Sequence, residues 1–222
     1  MKYRIGIPPL DLSEIRRYAG LRSSDFSPER IREAARLVQL LSEGYGTIRY
    51  YPYDNAHHTI IAEDASLTLT SKAICRHLDG AQEVAVMAVT IGEAVEDAIK
   101  EAFASGEYCR GLLLDAAATT AVESAADWLN HTIDVAAKKR GLSTTFRFSP
   151  GYGDWQITVQ EDIVRLAEGE QIGIRVTDAS MLIPRKSVTA VIALRDYPAE
   201  PCKQGCAVCP KKNCLSRKET TP

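Results

Sequence analysis

Arg147-Phe148-Ser149-Pro150-Gly151-Tyr152 is the stretch whose residue types could do chemistry. Pro150 and Gly151 predict a tight backbone turn, which draws Arg147, Tyr152 and the Ser149 backbone toward one point. A guanidinium holds a carboxylate through two parallel hydrogen bonds. A tyrosine adds a flat face and a hydroxyl. Such a set suits a ligand that carries both a carboxylate and an aromatic base. The plainer reading is a strand, a proline–glycine turn and a helix start, and the residues alone leave both open.

A second cluster lies near the C-terminal end. Of six cysteines, Cys202, Cys206, Cys209 and Cys214 crowd together. Four thiolates complete the coordination sphere of zinc or of an iron–sulfur cluster. Pro210 follows Cys209 as in ferredoxin-type cysteine runs, and Lys203, Lys211, Lys212 and Arg217 would offset thiolate charge. An iron–sulfur cluster, a zinc site and an unmetallated, partner-binding tail are the three readings. Cys75 and Cys109 sit apart in helix-like sequence and are expected as buried packing, since a free cysteine behaves as a small hydrophobe. Adjacent His57 and His58 would point apart on a strand and read as an exposed loop pair. His77 and His131 read as helix-surface or interhelical residues, and Tyr45, Tyr50, Tyr51 and Tyr53 as core and sheet surface.

These groups must be positioned by the elements around them. Ser27-Pro28-Glu29 predicts a helix start, with a serine cap, a proline in the first turn and an acid facing the dipole. Ile31, Ala34, Ala35, Val38 and Leu41 continue it at helical spacing, and Gly44 and Gly46 are expected to end it. Thr47 to Tyr53 is aromatic and β-branched and predicts a strand limited by Pro52. Short strands are expected at Thr59–Ala62 and Ser66–Leu69, and a short helix from Ser71 to Leu78. Glu83 to Thr90 is a continuous apolar run, expected as a central strand. Helices follow over Gly92–Ala104 and from about Gly111 to Lys139. In the second, Val122, Ala126, Leu129, Ile133 and Ala136 form a stripe, and alanines permit close approach. Thr144–Phe148 is expected to be extended. Asp154 is a candidate cap for a helix carrying Trp155, Val159, Ile163 and Leu166. Ile172–Thr177 and Ser187–Leu194 read as strands.

Helices and strands are interspersed without regular βαβ units. The expected fold is α+β, a curved, mainly antiparallel sheet flanked by long helices, with a short cysteine-rich tail. Composition shifts after Tyr197, so residues 1–197 are expected as one domain and 198–222 as a metal-binding tail. The 222 residues are 45% hydrophobic and 25% charged, with a net charge of −2. That balance suits a globular chain and gives no electrostatic case for nucleic acid. The N-terminal stretch is interrupted by Pro8 and Pro9 and lacks a signal h-region. No apolar run approaches the ~20 residues of a membrane span. A cytoplasmic protein without a membrane partner is the expectation.

The sequence resembles the activation domain of cobalamin-dependent methionine synthase, including its short stand-alone forms. Arg147 through Tyr152 matches that family's Arg-x-x-Pro-Gly-Tyr motif. Met87-Ala88-Val89-Thr90-Ile91-Gly92 is similar to its apolar strand ending in Thr-x-Gly. Leu114 through Asn130 is similar to its long helix, with Glu123 at the inward acidic position. Met181 through Val188 is similar to its Met-x-Pro-x-x-Ser-Val segment, which contains Ser187. Ile15-Arg16-Arg17-Tyr18-Ala19-Gly20 is typical of the stand-alone forms. The likeness covers roughly residues 10 to 197. It departs at the N-terminus, where no counterpart is found for the aspartate that holds the ligand's ammonium in the full-length enzyme. Glu123 and Asp115 are the substitutes considered.

The resemblance implies S-adenosylmethionine as ligand, with Arg147 on its carboxylate, the Ser149 backbone in contact, Tyr152 alongside, and Pro150 and Gly151 shaping the turn. It implies a methyltransferase component that returns cobalamin on methionine synthase to its methylated form, in methionine biosynthesis. The partners implied are a cobalamin-carrying protein and an electron donor such as flavodoxin or ferredoxin. A reactivator of another corrinoid methyltransferase and a non-catalytic adaptor docking through a metal-bearing tail are the alternatives. The chemistry needs positioning rather than a general acid or base, so no catalytic residue is expected.

Overall fold

The computed structural model describes residues 1–21 and 27–197. The four candidate metal ligands Cys202, Cys206, Cys209 and Cys214 lie outside the described residues. In chain order the elements are β1 (Lys2–Ile5), α1 (Leu12–Tyr18), α2 (Pro28–Leu41), β2 (Gly44–Asp54), β3 (Thr59–Ile60), β4 (Leu67–Thr68), α3 (Lys72–Leu78), β5 (Glu83–Thr90), α4 (Ala94–Ala104), α5 (Tyr108–Lys139), β6 (Ser143–Thr144), α6 (Gln160–Ala167), β7 (Arg175–Val176), β8 (Leu182–Ile183) and β9 (Ser187–Arg195). The main sheet runs β4-β3-β2-β5-β9-β6, with β1 also on β2, and is not closed into a barrel. All its pairings are antiparallel. β7 and β8 form a separate hairpin.

Strand alternation divides the interior into two cores. Ala85, Met87, Val89, Ala190, Ile192 and Leu194 face one core, built with α1, α2, α4 and α5. Val84, Val86, Ala88, Val191 and Ala193 face the other, built with α3 and α6. β5 is apolar on both faces because both are covered, which explains its unbroken hydrophobic run.

The α2 start follows the expectation: Ser27 caps it, its hydroxyl accepting from the Glu29 N–H at 3.2 Å. Gly44 and Gly46 do not end that helix; they open β2. They are glycine for closeness. A Cβ on Gly44 would overlap the Ile5 carbonyl, and one on Gly46 would lie 2.8 Å from Leu129 Cδ2 of α5. Pro52 does not limit β2, which continues to Asp54. Position 52 faces the β3 side, where its carbonyl accepts from the Ile61 N–H at 3.0 Å and no N–H is needed.

Other expectations are corrected as well. Asp154 caps a different helix, α3: its carboxylate accepts from Ser71 Oγ (2.6 Å) and from the N–H groups of Lys72 (3.1 Å) and Ala73 (2.9 Å). The helix expected from Trp155 begins as a 3-10 turn at Ile157–Val159 and becomes α-helical at Gln160. The strand expected from Ile172 is reduced to Arg175–Val176, because Gly169–Ile172 is a 3-10 turn. Cys109 is exposed, against the expectation of buried packing, while Cys75 is half-buried and packs against the α3/α6 core.

Candidate functional site

The segment from β6 to the proline–glycine turn continues along the edge of β9. Thr144 pairs with Leu194, and Phe148 bridges Val191. Four residue steps on this strand therefore oppose three on β9. The extra residue is a β-bulge, which re-aims the side chains beyond it. Without it, Arg147 would stand opposite Val191 and face the α3/α6 core. With it, Arg147 stands on the same side as Ile192 and faces α5.

On that side Arg147 meets two acids one helical turn apart. Its Nη2 lies 3.2 Å from Glu123 Oε2 and its Nη1 lies 2.8 Å from Asp127 Oδ1. Arg147 is 20% exposed. Burial pushes the Glu123 carboxyl above its ordinary value, Arg147 pulls it back, and Asp127 pushes it further up. The α1 helix contributes the next shell: Arg17 pairs with Glu14 at 2.5 Å and its guanidinium stacks over Tyr18 at 4.0 Å. Burial raises the Tyr18 hydroxyl, and the charge of Glu123 raises it further. The expected Arg147–Glu123 proximity is thus present, within a wider group that includes Asp127, Tyr18 and Arg17.

The turn is fixed from several directions. Ser149 Oγ donates to the Thr189 carbonyl of β9 at 2.7 Å. The Gly151 N–H donates to the Trp155 carbonyl at 2.8 Å, and the Tyr152 N–H to the Ser149 carbonyl at 3.1 Å. Gly151 has φ +92°, which explains the glycine at that corner. Pro150 is buried, and Tyr152 is 53% exposed. The Tyr152 ring stands edge-on to Phe148 at 5.6 Å, and Phe148 packs with Trp155 in the α3/α6 core. The contacts of Arg147 and of Tyr152 therefore lie on opposite sides of the strand.

Ser187 is also removed from Arg147. Its Oγ donates to Thr90 Oγ1 at 2.9 Å, and by strand alternation both face away from α5. The α5-facing neighbour is Lys186, whose Nζ is 2.9 Å from both Asp115 Oδ1 and Thr119 Oγ1. Asp115, Thr119, Glu123 and Asp127 repeat every four residues and share one face of α5. That acidic stripe carries a cation at each end. Asp115 is occupied by Lys186 rather than set beside Arg147. Asp127 was not foreseen; its spacing of four from Glu123 was the available signal.

Among the described residues, cavities lie away from Arg147. One, of about 610 Å³, sits between α2 and the start of α5, lined by Arg30, Glu33, Leu37, Tyr108 and Leu113. Another, of about 670 Å³, lies beside β2, lined by Arg49, Tyr51, Ile61, Arg165 and Glu168. Among the described residues no group of three or more His, Cys, Asp or Glu could hold a metal ion. Among the same residues no helix is long and apolar enough to cross a membrane.

Among solved structures the chain is similar to the crystal structure of the MetH reactivation domain bound to AdoHcy, with a TM-score of 0.59 over 87% of this chain and 77% of that one. The fold is similar to that of the MetH reactivation domain. Sequence identity is 14%, so the likeness is one of fold. No family model matches the sequence, and no curated protein matches it. The MetH-like fold provides the sheet, the long helix and the edge segment that bring Arg147 to Glu123.

Proposed function

We propose that this chain binds S-adenosylmethionine and supports reductive methylation of cobalamin carried by a partner protein of the methionine synthase type. The observation that carries the reading is the Arg147 guanidinium set between Glu123 and Asp127, in a fold shared with a reactivation domain that binds AdoHcy. An arginine beside two carboxylates is complementary to the ligand's amino-acid end, which carries one carboxylate and one ammonium. Arg147 would exchange its acidic partners for the ligand carboxylate. Glu123 and Asp127 would then turn to the ammonium and favour the nearby sulfonium. The adenosine would run along the bend past Ser149, Pro150 and Gly151 toward the half-exposed ring of Tyr152, with Ser187 beyond.

The methyl group would leave the sulfonium as S-adenosylhomocysteine forms and end on the partner's cobalt, with one electron drawn from a flavodoxin- or ferredoxin-class donor. This chain's part is to hold the methyl group in line and exclude water. A metal centre at Cys202, Cys206, Cys209 and Cys214, iron–sulfur or zinc, belongs to the same reading. An iron–sulfur cluster there would relay the electron.

The test is calorimetry with S-adenosylmethionine, then anaerobic incubation of the chain with a corrinoid protein, a reductant and methyl-labelled ligand. Binding heat, methylcobalamin above a control without the chain, and loss of both in Arg147→Ala support the reading. No heat from the wild-type chain sinks it and leaves the adaptor role. Equal binding by Arg147→Ala misplaces the site.

A further inference from the structure

We infer that His77 of α3, on the far side of the sheet, is the positioning residue for Arg147: it holds the β-bulge that aims the guanidinium at α5.

The reason is a hydrogen-bond shortfall. A bulge leaves backbone groups that the ladder does not pair, and a polar group in that state is costly when buried. On either side of Arg147 the segment is tied to β9: the Thr145 N–H donates to the Ala193 carbonyl at 3.1 Å, and Phe148 exchanges both bonds with Val191 at 3.0 and 2.9 Å. Between them the Phe146 carbonyl points away from β9 at this sheet edge and meets His77 Nε2 at 2.9 Å. A carbonyl only accepts, so Nε2 carries the proton, and burial disfavours a second proton on the ring. The Ala193 N–H, deprived of a strand carbonyl, donates to Thr145 Oγ1 at 3.0 Å, and that hydroxyl also lies 3.0 Å from His77 Nε2. The imidazole touches the rings on both sides of Arg147, with centroids 4.4 Å from Phe146 and 4.8 Å from Phe148. His77 itself is anchored, because Arg195 Nη2 donates to its carbonyl at 2.6 Å. Relaxing the bulge would shift the strand by one residue and turn Arg147 to the opposite face.

The ligand consequence rests on the proposed function; the positioning does not, and the experiment separates them. Glu123 reports on Arg147 from across the sheet, within a setting that also includes Asp127, Arg17 and Glu14. Its carboxyl titration is followed by carbon NMR in the full chain for wild type, Arg147→Ala, His77→Phe and His77→Gln. Phenylalanine keeps the ring between Phe146 and Phe148 and removes the donor; glutamine keeps a donor. His77→Leu replaces the phenylalanine variant if that fails to fold. Arg147→Ala and His77→Phe are expected to raise the Glu123 midpoint by about one unit, and His77→Gln to stay at the wild-type value. A His77→Phe midpoint equal to wild type, with Arg147→Ala shifted, overturns the inference. In calorimetry, His77→Phe is expected to weaken S-adenosylmethionine binding about tenfold and to add nothing in an Arg147→Ala background. If the wild-type chain binds no ligand, the functional reading fails and the titration still decides the positioning.

Discussion

Asp127 stands 2.8 Å from Arg147 while its own side chain is 75% exposed. An ion pair this open contributes at most about 1 kcal/mol to stability, so its value lies in being exchangeable. Asp127→Asn should leave the melting temperature nearly unchanged and raise the S-adenosylmethionine dissociation constant roughly 3- to 10-fold. Calorimetry and a thermal melt on one preparation check this. Tighter binding would make Asp127 a competitor for Arg147 rather than a ligand for the ammonium.

His77 gives the fold a calculable pH response. Burial, helped by the charge of Arg195, holds its imidazole down at about 4, against a pull upward from the Phe146 carbonyl and an ordinary value of 6.5. Between those values the unfolded chain binds more protons, so stability falls as pH falls through that window. At pH 5 the loss is on the order of 2 kcal/mol relative to pH 7. Urea titrations at the two pH values should show this slope in the wild type and its absence in His77→Phe.

Asp154 ties the turn to α3, and its hydrogen bonds to Ser71 Oγ and the first helix N–H groups hold its carboxyl below the usual range. A depressed carboxyl stabilises the fold above the ordinary aspartate range, and that contribution is lost as pH falls below it. Asp154→Asn should therefore melt earlier than wild type at pH 7. The gap should close in melts at about pH 2.

Gly46 marks the closest approach of β2 to α5. Gly46→Ala should destabilise by about 1 to 3 kcal/mol through overpacking. The cost should shrink when Leu129 is shortened to valine, since the two sites share one contact. Denaturant melts of the single and double variants measure the coupling.

The metal centre proposed for the cysteine tail has a test of its own. Cys206→Ser should lower bound iron or zinc per chain by elemental analysis, while the melting of the folded domain stays unchanged. Full metal occupancy in that variant would remove Cys206 from the ligand set.

Much of this architecture was legible in the residues. The apolar run of Glu83–Thr90 placed the central strand, the Ser27-Pro28-Glu29 signature placed a helix start, and the stripe through Leu129 placed the long helix. What failed to show has a common cause. Gly44 and Gly46 read as helix stops because local propensity does not register Ile5 and Leu129 pressing on the strand. Asp154 read as the cap of its own helix because the Ser71 end of α3 lies 83 residues away in sequence. At the site, Arg147 and Glu123 were each named as ligand-facing and stand 3.2 Å apart, but Tyr152 was expected on the same side. A bulge set by His77 leaves no periodic trace, so the facing of each residue beyond it could not be read from alternation.

The turn also constrains how the proposed ligand would get in and out. Ser149 bolts one end of the bend to β9, and Asp154 bolts the other to α3. A backbone fastened at both ends does not swing like a door. Traffic must pass by the rocking of individual groups, chiefly the Arg147 fork letting go of α5. Entry and departure of the proposed ligand would then follow rotamer changes rather than loop opening, so its exchange should be fast and only weakly dependent on solvent viscosity.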